Sequence, residues 1–428
     1  MRKIALAVAA ALALSACGTG GGSAGQELSK DPVTLRFTWW GADERHKRTQ
    51  QVIDLFRKKY PNITVKGEFK DWNGYWESLA TTVAANDAPD IIQMDELYLS
   101  SYAERGALLD LGTATKHLKT ADFDKTALDT GVVKGKQYAL PVGLATYSIV
   151  ANTDLLDQLK IKLPDDGTWS WDDFKKVGDE VSKAGGGKIT GVQSFGFDAG
   201  SLNIWARQHG AALFDDAGKV VVPEDVLAGY WTYIRDLAKT GVAPAPSVTI
   251  ERAGGSLDQS GTATNASALG TWWNTQLPSL ATASGQKLKL LKLPGESQAS
   301  SPAAYFKPSM YWSISSRSKH PAEAALFVDF LANSQEAADV MLTDRGIPAN
   351  TKLRAAIAPK LGEYDKAAAE YLDSVKVGTT APRVTPNGAS TIEAIIKRHT
   401  EEVLFDRQTP EQAAKSFITE LQAEIDGA

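Results

Sequence analysis

Across 428 residues there is one cysteine, Cys17. A single thiol rules out an intrachain disulfide framework, and its place near the N-terminus rules out thiol catalysis in the body of the chain. Histidine is almost as scarce. His46, His117, His209, His320 and His399 are scattered, and no two have the i, i+4 spacing by which a helix offers a metal two ligands. Basic charge is in deficit, with 46 Lys and Arg against 51 Asp and Glu and a formal net charge of −5. The basic stripe that nucleic acid requires is therefore missing. No Gly-rich loop ends in Gly-Lys-Ser/Thr, and no Gly-x-Ser-x-Gly precedes a helix, so neither a phosphate loop nor a nucleophile elbow is present. Nothing in the sequence calls for a metal or a cofactor.

What the chain does have begins with an address. Arg2 and Lys3 precede an apolar run at 4–14, followed by Leu14-Ser15-Ala16-Cys17. A charged start, a short apolar stretch and small residues before a cleavage point make residues 1–16 a secretory leader. The run is too short to span a bilayer core of roughly 30 Å. The Leu-Ser-Ala-Cys sequence resembles the lipobox of bacterial lipoproteins, in which the cysteine becomes the first mature residue and carries lipid. Residues 17–29, rich in Gly and Ser, then form a flexible tether behind lipidated Cys17. No second apolar stretch of spanning length occurs, so the mature body is expected to be soluble and held at the outer face of the cell membrane.

The length suits two domains, and 43% hydrophobic with 23% charged residues is ordinary globular composition. Residues 33–40 alternate apolar and polar side chains as a strand does. Residues 44–60 place Val52, Ile53, Phe56 and Tyr60 on one helical face and stop before Pro61. Strand 63–69, helix 75–86 and strand 90–94 follow, an alternation that indicates βαβ units, a parallel sheet and the α/β class. Further on, 137–143 reads as an extended crossover, 146–152, 267–273 and 287–293 as strands, and 170–183, 202–213, 224–239, 321–332, 335–342, 391–405 and 410–425 as helices.

Five segments, in order, resemble the extracellular solute-binding proteins (family 1) of carbohydrate transporters, the family that includes maltodextrin-binding proteins. They are FTWWGADERHKRTQQVIDLFRKKYPNITVKGEF at 37–69, APDIIQMDELYLSSYAERGALLDL at 88–111, KQYALPVGLATYSIVANTDLL at 136–156 with TWSWDDF at 168–174, ALGTWWNTQLPSL at 268–280, and FKPSMYWSISSRSKHPAEAALFVDFLAN at 306–333 with TDRGIPAN at 343–350. The resemblance implies a two-lobed periplasmic-binding-protein fold of type II, a Venus flytrap with three hinge crossovers. Carried onto this chain, the crossovers fall at 139–143, 291–295 and near 341–348. Lobe 1 becomes 30–141 with 295–341, and lobe 2 becomes 142–294 with 342–428. The resemblance further implies a monomer, not an enzyme, that binds a mono- or oligosaccharide and hands it to the permease subunits of an ABC importer.

A sugar offers hydroxyl rims and faintly apolar C–H faces, so its site wants flat aromatic platforms and a few fixed polar groups. Aromatic candidates stand at strand exits: the pairs Trp39 and Trp40, Trp272 and Trp273, and Tyr311 and Trp312. Neighbours in a strand face opposite ways, so one ring of each pair is expected in the core and the other in the cleft. Trp205, after the Gly200-Ser201 loop, and Tyr147, after the first crossover, are further candidates. Trp72 and Trp76 read as packing at a helix start, and Trp169 and Trp171 as parts of a capped helix start at Ser170. Polar candidates are Asp43 and Glu44 after the first strand, Asp95 and Glu96 after the third, and Arg345, which either reaches the ligand or pins the hinge. Arg45-His46 hints at an acidic ligand such as a uronic-acid oligomer. Two rival classes remain, a secreted glycosidase and a binder of another solute such as iron, an amino acid, a peptide or a polyamine.

Overall fold

The computed structural model describes residues 27–41, 43–255, 257–375, 377 and 381–428. The leader, Cys17 and most of the tether lie outside the described residues, as does the side chain of Glu44. Among the described residues no helix is long and apolar enough to cross a membrane.

Among the described residues the chain builds two main sheets and one two-stranded hairpin. Strands β1 (Val33–Trp40), β2 (Ile63–Lys70) and β3 (Ile91–Met94) run parallel with helices Asp43–Lys59 and Trp72–Ala84 between them. After a small hairpin, β4 (Val132–Val133) and β5 (Lys136–Gln137), strand β6 (Leu140–Ala145) joins the first sheet. The second sheet takes β7 (Tyr147–Asn152), β8 (Thr190–Val192), β9 (Ser267–Trp273) and β10 (Leu288–Leu291), in the order β10-β7-β9-β8. The chain then returns as β11 (Lys307–Ile314) and β12 (Ile347–Pro348), completing the first sheet as β12-β6-β11-β3-β1-β2. The expected parallel sheet is therefore mixed. β11 runs antiparallel to both β3 and β6, because it arrives from the other lobe rather than through a βαβ turn.

Each sheet carries its own core. Around the first pack Phe37, Phe56, Trp312 and Phe327; around the second pack Phe174, Trp231, Tyr230 and Phe417. Both sheets are covered by helices, and interior strands are buried accordingly: β3 and β7 are buried at every position, while half the positions of the edge strand β2 are exposed.

The lobes meet at three passages. Thr146, the one residue between β6 and β7, makes the first. Its N–H donates to Asn274 Oδ1 at 2.8 Å, and the Asn274 N–H returns a bond to the Thr146 carbonyl at 3.0 Å. The second passage lies between β10 and β11. The third is the helix Glu363–Ser374, whose Tyr371 hydroxyl sits 3.2 Å from the Tyr147 carbonyl and 3.1 Å from that of Leu291. Asn274 Nδ2 also donates to Ala368 O at 2.9 Å, so one buried amide ties the first passage to the third.

These positions correct the expected boundaries. Residues 139–143 lie in the first lobe, with the crossing just beyond them. Residues 295–305 pack on the second lobe, where Gly295 N–H donates to Trp169 O at 3.0 Å. The 342–428 segment does not begin in lobe 2: β12 pairs with β6, and helix Thr351–Ile357 packs against Ala338 in lobe 1. A two-residue strand carries no periodicity for sequence to show.

Candidate functional site

A cleft of about 390 Å³ opens between the lobes. Lobe 1 contributes Trp72, the exit of β3 at Asp95, Glu96 and Leu97, and Lys307 at the start of β11. Lobe 2 contributes Trp273 at the end of β9, Ala199, Gly200, Asn203 and Arg207 on one helix, and Glu393. A second cavity of about 330 Å³ adjoins it inside lobe 2, lined by Tyr147, Asp198, Gln193, Arg252 and Trp272. Trp273 lines both and is the wall they share.

Trp273 is held edge-on against Tyr147, with ring centroids 4.7 Å apart at 83°. Its other side approaches helix Ala199–Gln208 at Gly200, where a Cβ would come within 2.5 Å of Cζ2. Only glycine admits the indole there. Tyr147 donates its hydroxyl to Asp198 Oδ2 at 2.8 Å, while Asp198 Oδ1 accepts the Ser201 N–H at 2.9 Å and caps that helix. Burial raises the Asp198 carboxyl above its ordinary range, opposed by those hydrogen bonds. Burial, with Asp198 adding to it, drives the Tyr147 phenol far up, so it stays a donor.

From lobe 1, Asp95 caps helix Glu96–Glu104 through a 3.0 Å bond from Leu97 N–H. Glu96 lies 3.8 Å from Lys307 Nζ, which stands 5.6 Å from the Trp273 ring centre and so reaches across the cleft. Burial raises the Glu96 carboxyl, and Lys307 partly offsets it. Burial opposes the Lys307 charge too, but Glu96, Asp95, Glu393 and Asp198 outweigh it and the ammonium pKa rises. Burial, then Asp198, raises the Glu393 carboxyl above its ordinary range.

Of the candidate residues read from sequence, Asp95, Glu96 and Trp273 converge on the interlobe cleft, and Tyr147 and Trp272 on the adjoining cavity. Several others are corrected. Trp39, Tyr311 and Trp312 are fully buried in lobe 1 and offer no face to a ligand. Tyr311 donates to Thr130 O at 3.1 Å inside the core. Alternation failed for these pairs because β1 and β11 are interior strands covered on both faces. Trp40 packs in an aromatic cluster with Trp72, Tyr75 and Trp76, behind the cleft rather than in it. Trp205 is buried mid-helix, its Nε1 bonded to Val226 O at 3.0 Å: Gly200 and Ser201 begin a helix instead of a loop. Asp43 lies exposed at the start of its helix, away from the cleft. Arg345 is 2% exposed and binds Gln93, Thr49 and Asp344 at 3.0, 2.8 and 3.1 Å, all within lobe 1, so it faces neither the cleft nor the passages between the lobes.

Sequence reading missed Trp72, Asp198, Asn203, Lys307 and Glu393. Trp72 is 39% exposed and props its ring edge-on against Trp40 at 5.1 Å. The signal for it was the count of tryptophans around 72–76. For Lys307 and Glu393, far apart in sequence, there was none. The Arg45-His46 hint is also structural. Arg45 Nε bonds Asp344 at 3.1 Å, and His46 stacks on Phe69 at 4.0 Å.

The sequence profile of the bacterial extracellular solute-binding proteins matches residues 42–338, more than half of the chain. The chain belongs to that family. A solved family 1 extracellular solute-binding protein from Alicyclobacillus acidocaldarius superposes on this solute-binding protein with a TM-score of 0.76 at 29% identity, covering 93% of this chain and 99% of that one. The diacetylchitobiose binding protein DasA of Streptomyces coelicolor is 26% identical over 187 residues, 42% of this chain and 44% of the relative. An uncharacterized lipoprotein in the oleD 5' region of Streptomyces antibioticus is 27% identical over 187 residues, 43% of this chain and 40% of the relative. The matches thus span under half the length of these curated relatives.

Proposed function

We propose that this protein is the extracytoplasmic substrate-binding component of an ABC importer, which closes its lobes on a mono- or oligosaccharide and presents it to the membrane permease. One observation carries the reading: the interlobe cleft is walled by an aromatic ring from each lobe, Trp72 and Trp273, with carboxylates, cations and the Asn203 amide also in its lining. Its volume lies within the roughly 300–1,000 Å³ of small-molecule sites. Indoles suit the apolar faces of a pyranose, and Asp95, Glu96, Asn203 and Glu393 suit its hydroxyls, since bonds to charged groups are about twice as strong as neutral ones.

A ligand that touches both lobes favours the closed state over the open one, and its differential affinity sets the shift. The permease then meets a shape that signals loading. Residues 1–16 act as the export leader and Cys17 as the lipid anchor, which keeps the protein at the outer face of the membrane. ATP hydrolysis belongs to a partner.

The test is calorimetry against mono-, di- and trisaccharides, paired with X-ray scattering. A binding glycan should give saturable heat and a smaller radius of gyration. Steady product release from an oligosaccharide would replace this reading with a glycosidase. The carboxylates Asp95, Glu96 and Glu393 make a polyamine the second reading. Lys307, already paired with Glu96 and surrounded by the same carboxylates, competes with it, and tight polyamine binding without glycan binding would decide for it.

A further inference from the structure

Resting on the carbohydrate reading, we propose that this cleft selects its sugar by charge: it takes uncharged sugars and rejects uronic-acid ones, because among the described residues its carboxylates keep acceptor positions open while its cations are already engaged by partners within the protein. Three carboxylates line the cleft, Asp95, Glu96 and Glu393, and Asp198 stands in the adjoining cavity across Trp273. A carboxylate has about four acceptor positions. Asp95 uses one on Leu97 N–H, and Asp198 accepts Ser201 and Tyr147. The remaining lone pairs match sugar hydroxyls, which donate. A uronate carboxylate only accepts, and would bring a like charge into a partly desolvated space.

The three cations of the cleft do not reverse this sign. Arg383 is paired with Asp216 at 2.6 Å. Arg207 donates Nε to Ala303 O at 2.7 Å, lies over the Tyr305 ring at 5.7 Å and feels Glu296 from behind. Lys307 is the cation nearest Trp273, and Glu96 lies 3.8 Å from it while Asp95, Glu393 and Asp198 act on it as well. The Arg45-His46 pair, the one feature of the sequence that suggested an acidic ligand, is spent on Asp344 and Phe69.

The experiment screens the full mature chain by calorimetry at low salt against neutral oligomers of glucose, galactose, xylose and N-acetylglucosamine and against oligogalacturonates and glucuronate disaccharides. The tightest neutral hit is then compared with its C6-carboxylate counterpart. The proposal expects the neutral sugar to bind at least tenfold more tightly, and E96Q, which releases Lys307, to narrow that gap severalfold by strengthening the uronate. A uronic-acid oligomer as the tightest ligand, or a gap that E96Q and E393Q both leave unmoved, overturns the charge rule while the carbohydrate reading stands. Silence across every glycan overturns the carbohydrate reading, and this rule with it.

Discussion

Two tryptophan pairs end two strands, and the lobes treat them differently. Trp39-Trp40 closes β1, and Trp272-Trp273 closes β9. β1 pairs with β2 along its full length, up to Trp40 opposite Lys70, and has helices on both faces, so its last four side chains are all buried. β9 loses its β8 partner at Leu269 and runs on beside β7 alone. Both of its indoles are therefore only half-buried, and they define the two cavities. The same dipeptide is core where the sheet continues and a cavity wall where it runs out.

The largest expected effect separates the two pairs. Trp39→Ala should lower unfolding free energy by about 3–5 kcal/mol in denaturant titration, the usual cost of emptying a core site of an aromatic. Trp273→Ala should do the reverse: a folded protein of near-normal stability whose glycan affinity falls by about 2 kcal/mol, roughly 30-fold. If Trp39→Ala cost affinity but not stability, the contrast would be wrong.

A smaller effect sharpens the picture on the cleft side. Gly200→Ala drives a Cβ into Trp273, whose indole must tilt away, and calorimetry should show affinity lower by roughly fivefold, about 1 kcal/mol. Unchanged affinity would mean that the orientation of this ring is unimportant. Trp72→Ala should weaken binding to a similar extent while leaving the midpoint of denaturation almost unmoved, since that ring is the exposed member of its cluster.

The smallest effect concerns charge. Burial raises the Glu393 carboxyl above its ordinary 4.5, so the folded state holds the proton more tightly than the unfolded one. The wild type therefore loses stability as pH rises from about that value through the raised one, and Glu393→Gln escapes the loss. A thermal scan of the empty protein should find Glu393→Gln about 1–2 °C more stable at pH 7. That gain should fade as pH drops toward the ordinary carboxylate value. A gain that grew on acidification would contradict the assignment.

Much of the fold was legible because it depends on local pattern. The strand at 33–40, the apolar face of 44–60 and the Ser170 cap of helix Trp171–Ala184 each appear where expected, the last as a reciprocal bond between Ser170 and Asp173. The site was legible only at strand exits. Asp95, Glu96 and Trp273 line the cleft because clefts of such sheets open beyond the carboxyl ends of strands. Trp205 was misplaced by a helix that starts three residues early, and Tyr311 and Trp312 by a strand with two covered faces.

By itself, then, the sequence determined the alternation of strands and helices, the ordered motifs that mark the family and the short list of aromatic doublets. Those are properties of neighbours in the chain, carried by periodicity, caps and turn residues. The tertiary structure alone decided that Trp272 and Trp273 border the cavities while Trp39, Tyr311 and Trp312 are core, that Arg345 is buried inside lobe 1, and that Lys307 and Glu393 face the same cleft. Each of these depends on what a strand's last residues have beside them after the chain has crossed between lobes, and contacts separated by hundreds of residues leave no trace in local pattern.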